Sequence, residues 1–391
     1  MSAVKEGWTY KKLGEVCVSI TDGSHNPPKG IDYSDYRMIS SQNVFDNQLV
    51  INDDVRYLTE EDYQRENNRT RLTKDVVLLT IVGTIGRSCV LQGNEGYLTL
   101  QRSVAALHPS SDIVSRYLMH CLIGKRNTLD QEAHGIAQKG IYLKQLSTLV
   151  IPIPPLPTQQ SIVSELDKIN ELIALKKSQL KDLDTLAQSI FYDMFGDPIT
   201  NEKEWEVKKL SDLSKEKLSY GSGASAIQYD GETRYVRITD INDNGDLNDD
   251  IVSPSVFDNK YLLNDGDILF ARSGATVGKT YLHKEKDGKC IYAGYLIRFI
   301  PIIKCVLPIY VLALTKTHYY RLFISNTQRA VAQPNINAKQ YGDLLIPLPP
   351  LSLQHQFAER VESIERMKQQ VQTAIKDLET LLASRMQYWF A

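Results

Sequence analysis

The sequence predicts an α+β protein: two homologous mixed α/β domains joined by two long helices that pair as an antiparallel coiled coil, with pseudo-two-fold symmetry. Three observations predict it. The stretch Ile151-Pro152-Ile153-Pro154-Pro155-Leu156 returns 195 positions later as Ile346-Pro347-Leu348-Pro349-Pro350-Leu351. Each copy runs into a segment whose apolar residues recur at alternating steps of four and three, the spacing of a coiled-coil seam. Ahead of each copy lie about 150 residues of short Val, Ile, Leu and Tyr runs broken by Gly, Asp, Asn and Pro, which read as strands between turns.

The first globular domain is placed at 1–157. It opens on Trp8-Thr9-Tyr10-Lys11-Lys12-Leu13, and contains the strand-like run Asp75-Val76-Val77-Leu78-Leu79-Thr80 and a helix expected around 111–122. The first long helix follows at 158–195. Its seam reads Ile162, Leu166, Ile169, Ile173, Lys176, Leu180, Leu183, Ala187, Ile190, Met194, with nine of ten apolar. Pro157 bars backward extension, Thr158 offers an N-cap oxygen, and Gly196-Asp197-Pro198 stops the helix. A linker at 196–204 leads to the second domain, 205–352. That domain opens on Trp205-Glu206-Val207-Lys208-Lys209-Leu210, offset from the first copy by 197, and has its own strand-like run Asp267-Ile268-Leu269-Phe270-Ala271 and a helix expected around 308–323. The second long helix, 353–391, follows Pro350 with Ser352 as the cap. Its seam is Phe357, Val361, Ile364, Lys368, Val371, Ile375, Leu378, Leu382, Arg385, Trp389, with eight of ten apolar. Helices of about 33 residues would each span roughly 50 Å. Two matching seams are expected to cover each other, with Lys176 and Lys368 off-centre and their ammonium ends in water; packing of each helix on its own domain is the alternative.

Bulk properties narrow the function classes. A chain of 391 residues has room for two or three domains. No apolar run approaches the roughly 20 residues of a membrane span, and Met1-Ser2-Ala3-Val4-Lys5-Glu6-Gly7 lacks an apolar signal core. The five cysteines, Cys17, Cys89, Cys121, Cys290 and Cys305, are scattered without a CxxC pair. A reducing cytoplasm fits them better than a disulfide framework or a zinc site. The net charge of −2 means that any DNA contact uses local patches or partner subunits, since stand-alone DNA binders are usually basic.

Motif by motif, nothing nominates a catalytic centre or a metal site. Asn26-Pro27-Pro28 is similar to the box of amino-methyltransferases, but Lys29 stands where the aromatic belongs. Gly274-Ala275-Thr276-Val277-Gly278-Lys279-Thr280 has one residue too few between its glycines for a phosphate-binding P-loop. Val82-Gly83-Thr84-Ile85-Gly86-Arg87 is its counterpart, offset by 192, without the Lys-Thr ending. Both read as tight Gly-bounded turns between strands, with Arg87 and Lys279 placed to meet phosphates. The seven histidines show no ligand spacing. Donor-rich loops are the better candidates, because Gln and Asn match adenine edges and Arg and Lys match guanine. They nominate His25, Asn26, Lys29, Arg87, Gln101, Arg102, Gln138, Lys139, Ser222, Arg272, Lys279, Gln333, Asn335 and Asn337 as DNA-binding residues.

The arrangement resembles the specificity subunit of type I restriction-modification systems over essentially the whole chain. The carriers are the Trp8…Leu13 start, the Gly turn, the proline box, Gln159-Gln160 at the helix entry and the ending Met194-Phe195-Gly196-Asp197-Pro198, followed by the second round Trp205…Leu210, 274–278, 346–351, Gln354 and the final helix. The resemblance implies two target recognition domains, each reading one half of a bipartite DNA site, and a coiled coil that sets their spacing. It implies no catalytic centre in this chain, and two DNA adenine methyltransferase (modification) subunits that bind S-adenosylmethionine. Two restriction subunits using ATP and Mg²⁺ can join them. A non-enzymatic coiled-coil scaffold that binds only protein partners is the alternative, and an NTPase or methyltransferase resting on the defective motifs is a third reading.

Overall fold

A computed structural model describes residues 7–52, 54–133, 139–329 and 335–390. The chain divides into two compact units. Residues 1–177 with 373–391 form the first and residues 178–372 the second. Each unit therefore takes in part of both long helices, so the compact bodies do not coincide with the expected 1–157 and 205–352.

In unit 1 a four-stranded antiparallel sheet runs in the order Cys17–Asp22, Val104–Pro109, Val77–Thr80, Ser88–Val90. Side chains alternate between its faces. Val77, Leu79, Ala105 and Leu107 enter one core with the helix Ser115–Gly124, while Leu78, Val104 and Ala106 enter a second core. Burial on both faces explains why these strands read as unbroken apolar runs. The second core is closed by Tyr36–Ile39, paired in parallel with Tyr97–Leu100. The two ends of the expected domain meet: Thr9–Lys12 pairs with Val150–Ile153, bringing the Trp8 segment onto the proline box.

Unit 2 repeats this plan. Its sheet order is Ser219–Tyr220, Leu296–Phe299, Ile268–Ala271, Thr280–Leu282. Ile268, Phe270, Ile297 and Phe299 face one core and Leu269, Ala271 and Leu296 the other. Arg234–Val236 pairs in parallel with Cys290–Tyr292, and Glu206–Lys209 pairs with Leu345–Leu348. The helix expected around 308–323 is two helices, Pro308–Leu314 and His318–Arg329. Thr315 and Thr317 donate their hydroxyls back to Leu312 O and Leu314 O, both at 2.7 Å; such side-chain bonds compete with the helical ladder.

The long helices run Leu156–Phe195 and Leu351–Phe390, 40 residues each, or roughly 60 Å at 1.5 Å per residue. Each starts two residues earlier than expected, so Pro157 lies in the first turn, where its missing N–H removes no bond, and Thr158 and Ser352 are inside the helices rather than caps. Buried Gln159 and Gln354 instead tie each entry to its domain. Gln159 accepts from Val114 N (2.8 Å) and donates to Pro154 O (2.9 Å) and Asp112 O (3.1 Å). Gln354 accepts from Leu307 N and donates to Pro349 O, both at 2.8 Å.

The helices pack on each other antiparallel within each unit. In unit 1, Glu165 accepts from Arg385 and from Trp389 Nε1, Lys177 meets Glu379 at 2.9 Å, and Phe390 packs on Tyr117. In unit 2, Asp184 pairs with Lys368 at 2.9 Å, and Phe191 and Phe195 pack on Phe357. Of the seam residues, Ile162, Leu166, Ile169, Ile173, Leu183, Phe357, Val361, Ile364, Val371 and Ile375 are buried, and Leu180, Ile190, Leu378 and Leu382 are half-buried. Truncating a fully buried one such as Leu166 to Ala would cost about 2–5 kcal/mol. Lys368 departs from expectation. Its ammonium lies between Asp184 and Glu365 rather than in water; burial alone would lower its pKa, and the two carboxylates raise it. The first helix ends on Gly196 at φ +77°, and its last carbonyls are capped by Lys203 Nζ and Trp205 Nε1.

Candidate nucleic-acid interface

Both units build the same main-chain junction where the first sheet strand leaves the sheet. In unit 1, Ser24 N–H donates to Leu100 O (2.8 Å) and Arg102 N–H to Ser24 O (3.0 Å). In unit 2, Ser222 N–H donates to Tyr292 O (2.8 Å) and Gly294 N–H to Ser222 O (2.7 Å). Glycine is obligatory at the crossing: a Cβ on Gly23 would sit 2.1 Å from Leu100 O, and one on Gly221 would sit 2.3 Å from Tyr292 O. The neighbouring strand is held alike. Ile81 N–H reaches Ser103 O and Ile141 N–H reaches Ile81 O, both at 2.9 Å; Arg272 N–H reaches Tyr295 O at 3.1 Å and Ile336 N–H reaches Arg272 O at 2.9 Å. The side chains on this shared frame differ. Asp22, Ile81, Ser103 and Gly140 in unit 1 stand where unit 2 has Tyr220, Arg272, Tyr295 and Asn335.

In unit 1 the junction gathers exposed His25, Asn26 and Arg102 with half-buried Gln101, and exposed Lys29 lies farther along the same loop. His25 Nε2 is 2.7 Å from the buried Asp22 carboxylate, which also takes Arg69. Arg87 and Lys139 flank the glycine turn at 83–86 instead. The Arg87 guanidinium lies 4.9 Å over the Phe45 ring, and Lys139 Nζ is 3.7 Å from Asp130.

In unit 2 the junction gathers Ser222, Arg272, Asn335 and Asn337. The Ser222 hydroxyl accepts from Ala224 N (3.1 Å) and holds its turn. The Asn337 side chain caps the helix Ala338–Gly342 by accepting from Gln340 N (2.9 Å). Arg272 lies over the Tyr220 ring at 4.6 Å and donates through Nε to Asn335 Oδ1 at 3.1 Å. Lys279 is turned away to Asp243 (2.8 Å) and Ile241 O (3.2 Å), and its hydrogen bond and charge hold the Asp243 carboxyl below the usual range. Gln138 and Gln333 lie outside the described residues.

The glycine segment 274–278 is a strand–turn–strand connection, not the strand–loop–helix of a phosphate cradle. It borders a cleft of unit 2 of about 950 Å³, which also contains Lys316 and Lys368. Carboxylates answer the cations there: Asp243 pairs with Lys279, and Asp184 and Glu365 with Lys368. Burial pushes the Lys316 pKa down. Lys279 and Lys368 are therefore spent on carboxylates within the cleft.

Sequence reasoning did not nominate Asp22, Arg69, Phe45, Tyr220 or Tyr295. Superposing the two repeats residue by residue would have exposed the Ser103–Tyr295 and Asp22–Tyr220 contrasts.

Comparison with known proteins adds the family context. A family model described as the type I restriction modification DNA specificity domain matches residues 5–184 and again 202–379. The type I restriction enzyme EcoBI specificity subunit of Escherichia coli is 20% identical over 69% of this chain and 63% of its own length. The chain thus spans under two thirds of that relative. The MjaVIII specificity subunit of Methanocaldococcus jannaschii is 24% identical over 79% of this chain and 78% of its own length. The crystal structure of the type I restriction-modification system S subunit from M. genitalium has the same fold, with a TM-score of 0.57 at 13% identity over 100% of this chain and 98% of that one.

Proposed function

This chain belongs to the type I restriction-modification DNA specificity domain family, and we propose that it reads a bipartite DNA target for a modification complex. Each unit reads one half of the target through its junction loops. The observation that carries this reading is the pair of matching main-chain junctions with unlike side chains. A shared frame presents two different sets of donors and acceptors to a duplex, so the two halves of the target differ in sequence. Phosphate contacts position such a reader and side chains at base edges specify the sequence.

The paired long helices serve as the spacer that fixes the distance between half-sites, and they dock two adenine methyltransferase subunits. S-adenosylmethionine belongs to those subunits, and ATP with Mg²⁺ to any restriction subunits. With a net charge of −2, this chain leaves much of the phosphate contact to its partners.

The test is a genome-wide map of methylated adenines in cells that have the methyltransferase partner, with and without this gene. The expected result is a split motif with two unlike halves that disappears with the gene. Adenine methylation that is identical in both strains would contradict the proposal and favour a protein-only scaffold.

A further inference from the structure

Two half-buried arginines of unit 2, Arg234 and Arg272, differ from the ion-paired ones; Arg234 spends its Nη2 on Asn248 O at 2.6 Å. Arg237 is neutralised by Asp240 and Asp250, and Arg298 by Asp267. Among the described residues Arg272 has no carboxylate within ion-pair distance, although it is half-buried. Water completes the shell of such a partly exposed guanidinium, and a ligand that supplies acceptors can take its place.

Its geometry is fixed in advance. Tyr220 is anchored at both ends: its main chain pairs with Ile297, and its hydroxyl accepts from Ala338 N at 3.0 Å. The guanidinium stacks on that ring at 4.6 Å, and Nε is spent on Asn335 at 3.1 Å. The main chain of Arg272 is pinned on both sides by Tyr295 and Ile336. What remains is the pair of terminal nitrogens with their fork of N–H donors. A planar fork fits two acceptors side by side, and guanine presents that pair, O6 and N7, in the major groove. The corresponding position in unit 1 is Ile81, which is buried and carries no donor.

We propose that Arg272 is a specificity-determining residue that reads one guanine in the half-site of unit 2, with Tyr220 and Asn335 as positioning residues. This rests on the DNA-reading function proposed above. Unit 1 uses a different residue for its own half, because its frame places an aliphatic side chain at this point.

The experiment uses the complex of the full chain with its methyltransferase. First the wild-type motif is mapped; absence of any split motif would remove the underlying reading, and this inference with it, before a variant is made. Arg272→Lys and Arg272→Gln are then mapped on the same genome. Guanine preference should fall roughly 5- to 150-fold at one position of one half-site, the range expected for a lost bidentate base contact, while the other half stays intact. Oligonucleotides with 7-deazaguanine at that position, lacking N7, should weaken binding by the wild type and leave Arg272→Gln unaffected. Uniformly weaker modification with an unchanged motif would assign Arg272 to a phosphate and overturn the inference. If the Arg272 variants do not assemble, Asn335→Ala, which keeps the arginine and frees its Nε, must still reduce the same guanine preference; an unchanged preference overturns the proposal.

Discussion

Gln354→Ala tests how the second long helix is tied to its domain. The amide of Gln354 is fully buried. It accepts from Leu307 N at 2.8 Å, donates to Pro349 O at 2.8 Å and reaches Cys305 O at 3.4 Å. Alanine leaves two well-made main-chain partners buried without a bond. Each stranded group costs about 1–3 kcal/mol, so the variant should lose about 2–6 kcal/mol. In a unit of this size, 1 kcal/mol lowers Tm by roughly 2–4 °C, giving a drop on the order of 10 °C. The two units need not unfold together, so the assay is hydrogen exchange by mass spectrometry during a urea titration. Exchange should accelerate in the peptide containing Leu307 and at the start of the second long helix, while the peptide containing Val114 in unit 1 keeps its protection. Gln354→Glu sets a buried carboxylate against the carbonyls of Pro349 and Cys305, so at neutral pH it should destabilise at least as much as alanine and recover in acid, where the protonated carboxyl can donate. A loss below about 1 kcal/mol, or equal loss in both units, would refute the argument that this glutamine satisfies the entry of its helix.

Acid should weaken unit 1 through Asp167. Burial alone would raise this carboxyl, but hydrogen bonds and charge from His120 and Arg116 override it and hold the pKa at about 2. A depressed carboxyl stabilises the fold above its unfolded pKa of about 4, and that contribution is lost as pH falls through about 2; urea titrations between pH 5 and 2 should show a slope that Asp167→Asn flattens. Inserting seven residues into one long helix only should abolish assembly or modification, and matched seven-residue insertions in both should lengthen the spacer by about 10 Å and widen the gap in the methylation motif by about three base pairs. An unchanged motif in either case would remove the spacer role. DNA affinity of the assembled complex should fall linearly on a log–log plot against salt, because phosphate contacts release counterions; a slope near zero, measured by fluorescence anisotropy, would exclude that mode of binding.

Much of the architecture was legible because duplication and periodicity are global signals. The two recurring anchors, the Trp8 start and the proline box, prove to be hydrogen-bonded partners in each unit. The four-three spacing marks residues that are buried or half-buried along both helices. Local details depend on contacts that spacing does not encode. The first long helix starts earlier because Pro157 is harmless in its first turn, the second starts directly after Pro350, and Thr315 with Thr317 interrupted what reads as one helix. Lys368 found carboxylates, one of them on the facing helix. Arg272 and Asn335 were each visible as donors, but their union with Tyr220 joins residues 115 positions apart in sequence, and only the sheet brings them together.

The most direct measurement is to replace residues 1–157 with the corresponding segment of another family member and to map methylated adenines again. A new sequence in one half of the motif, with the other half and the gap unchanged, is the predicted result. A change in both halves, or in neither, would contradict two independent readers carried on one chain.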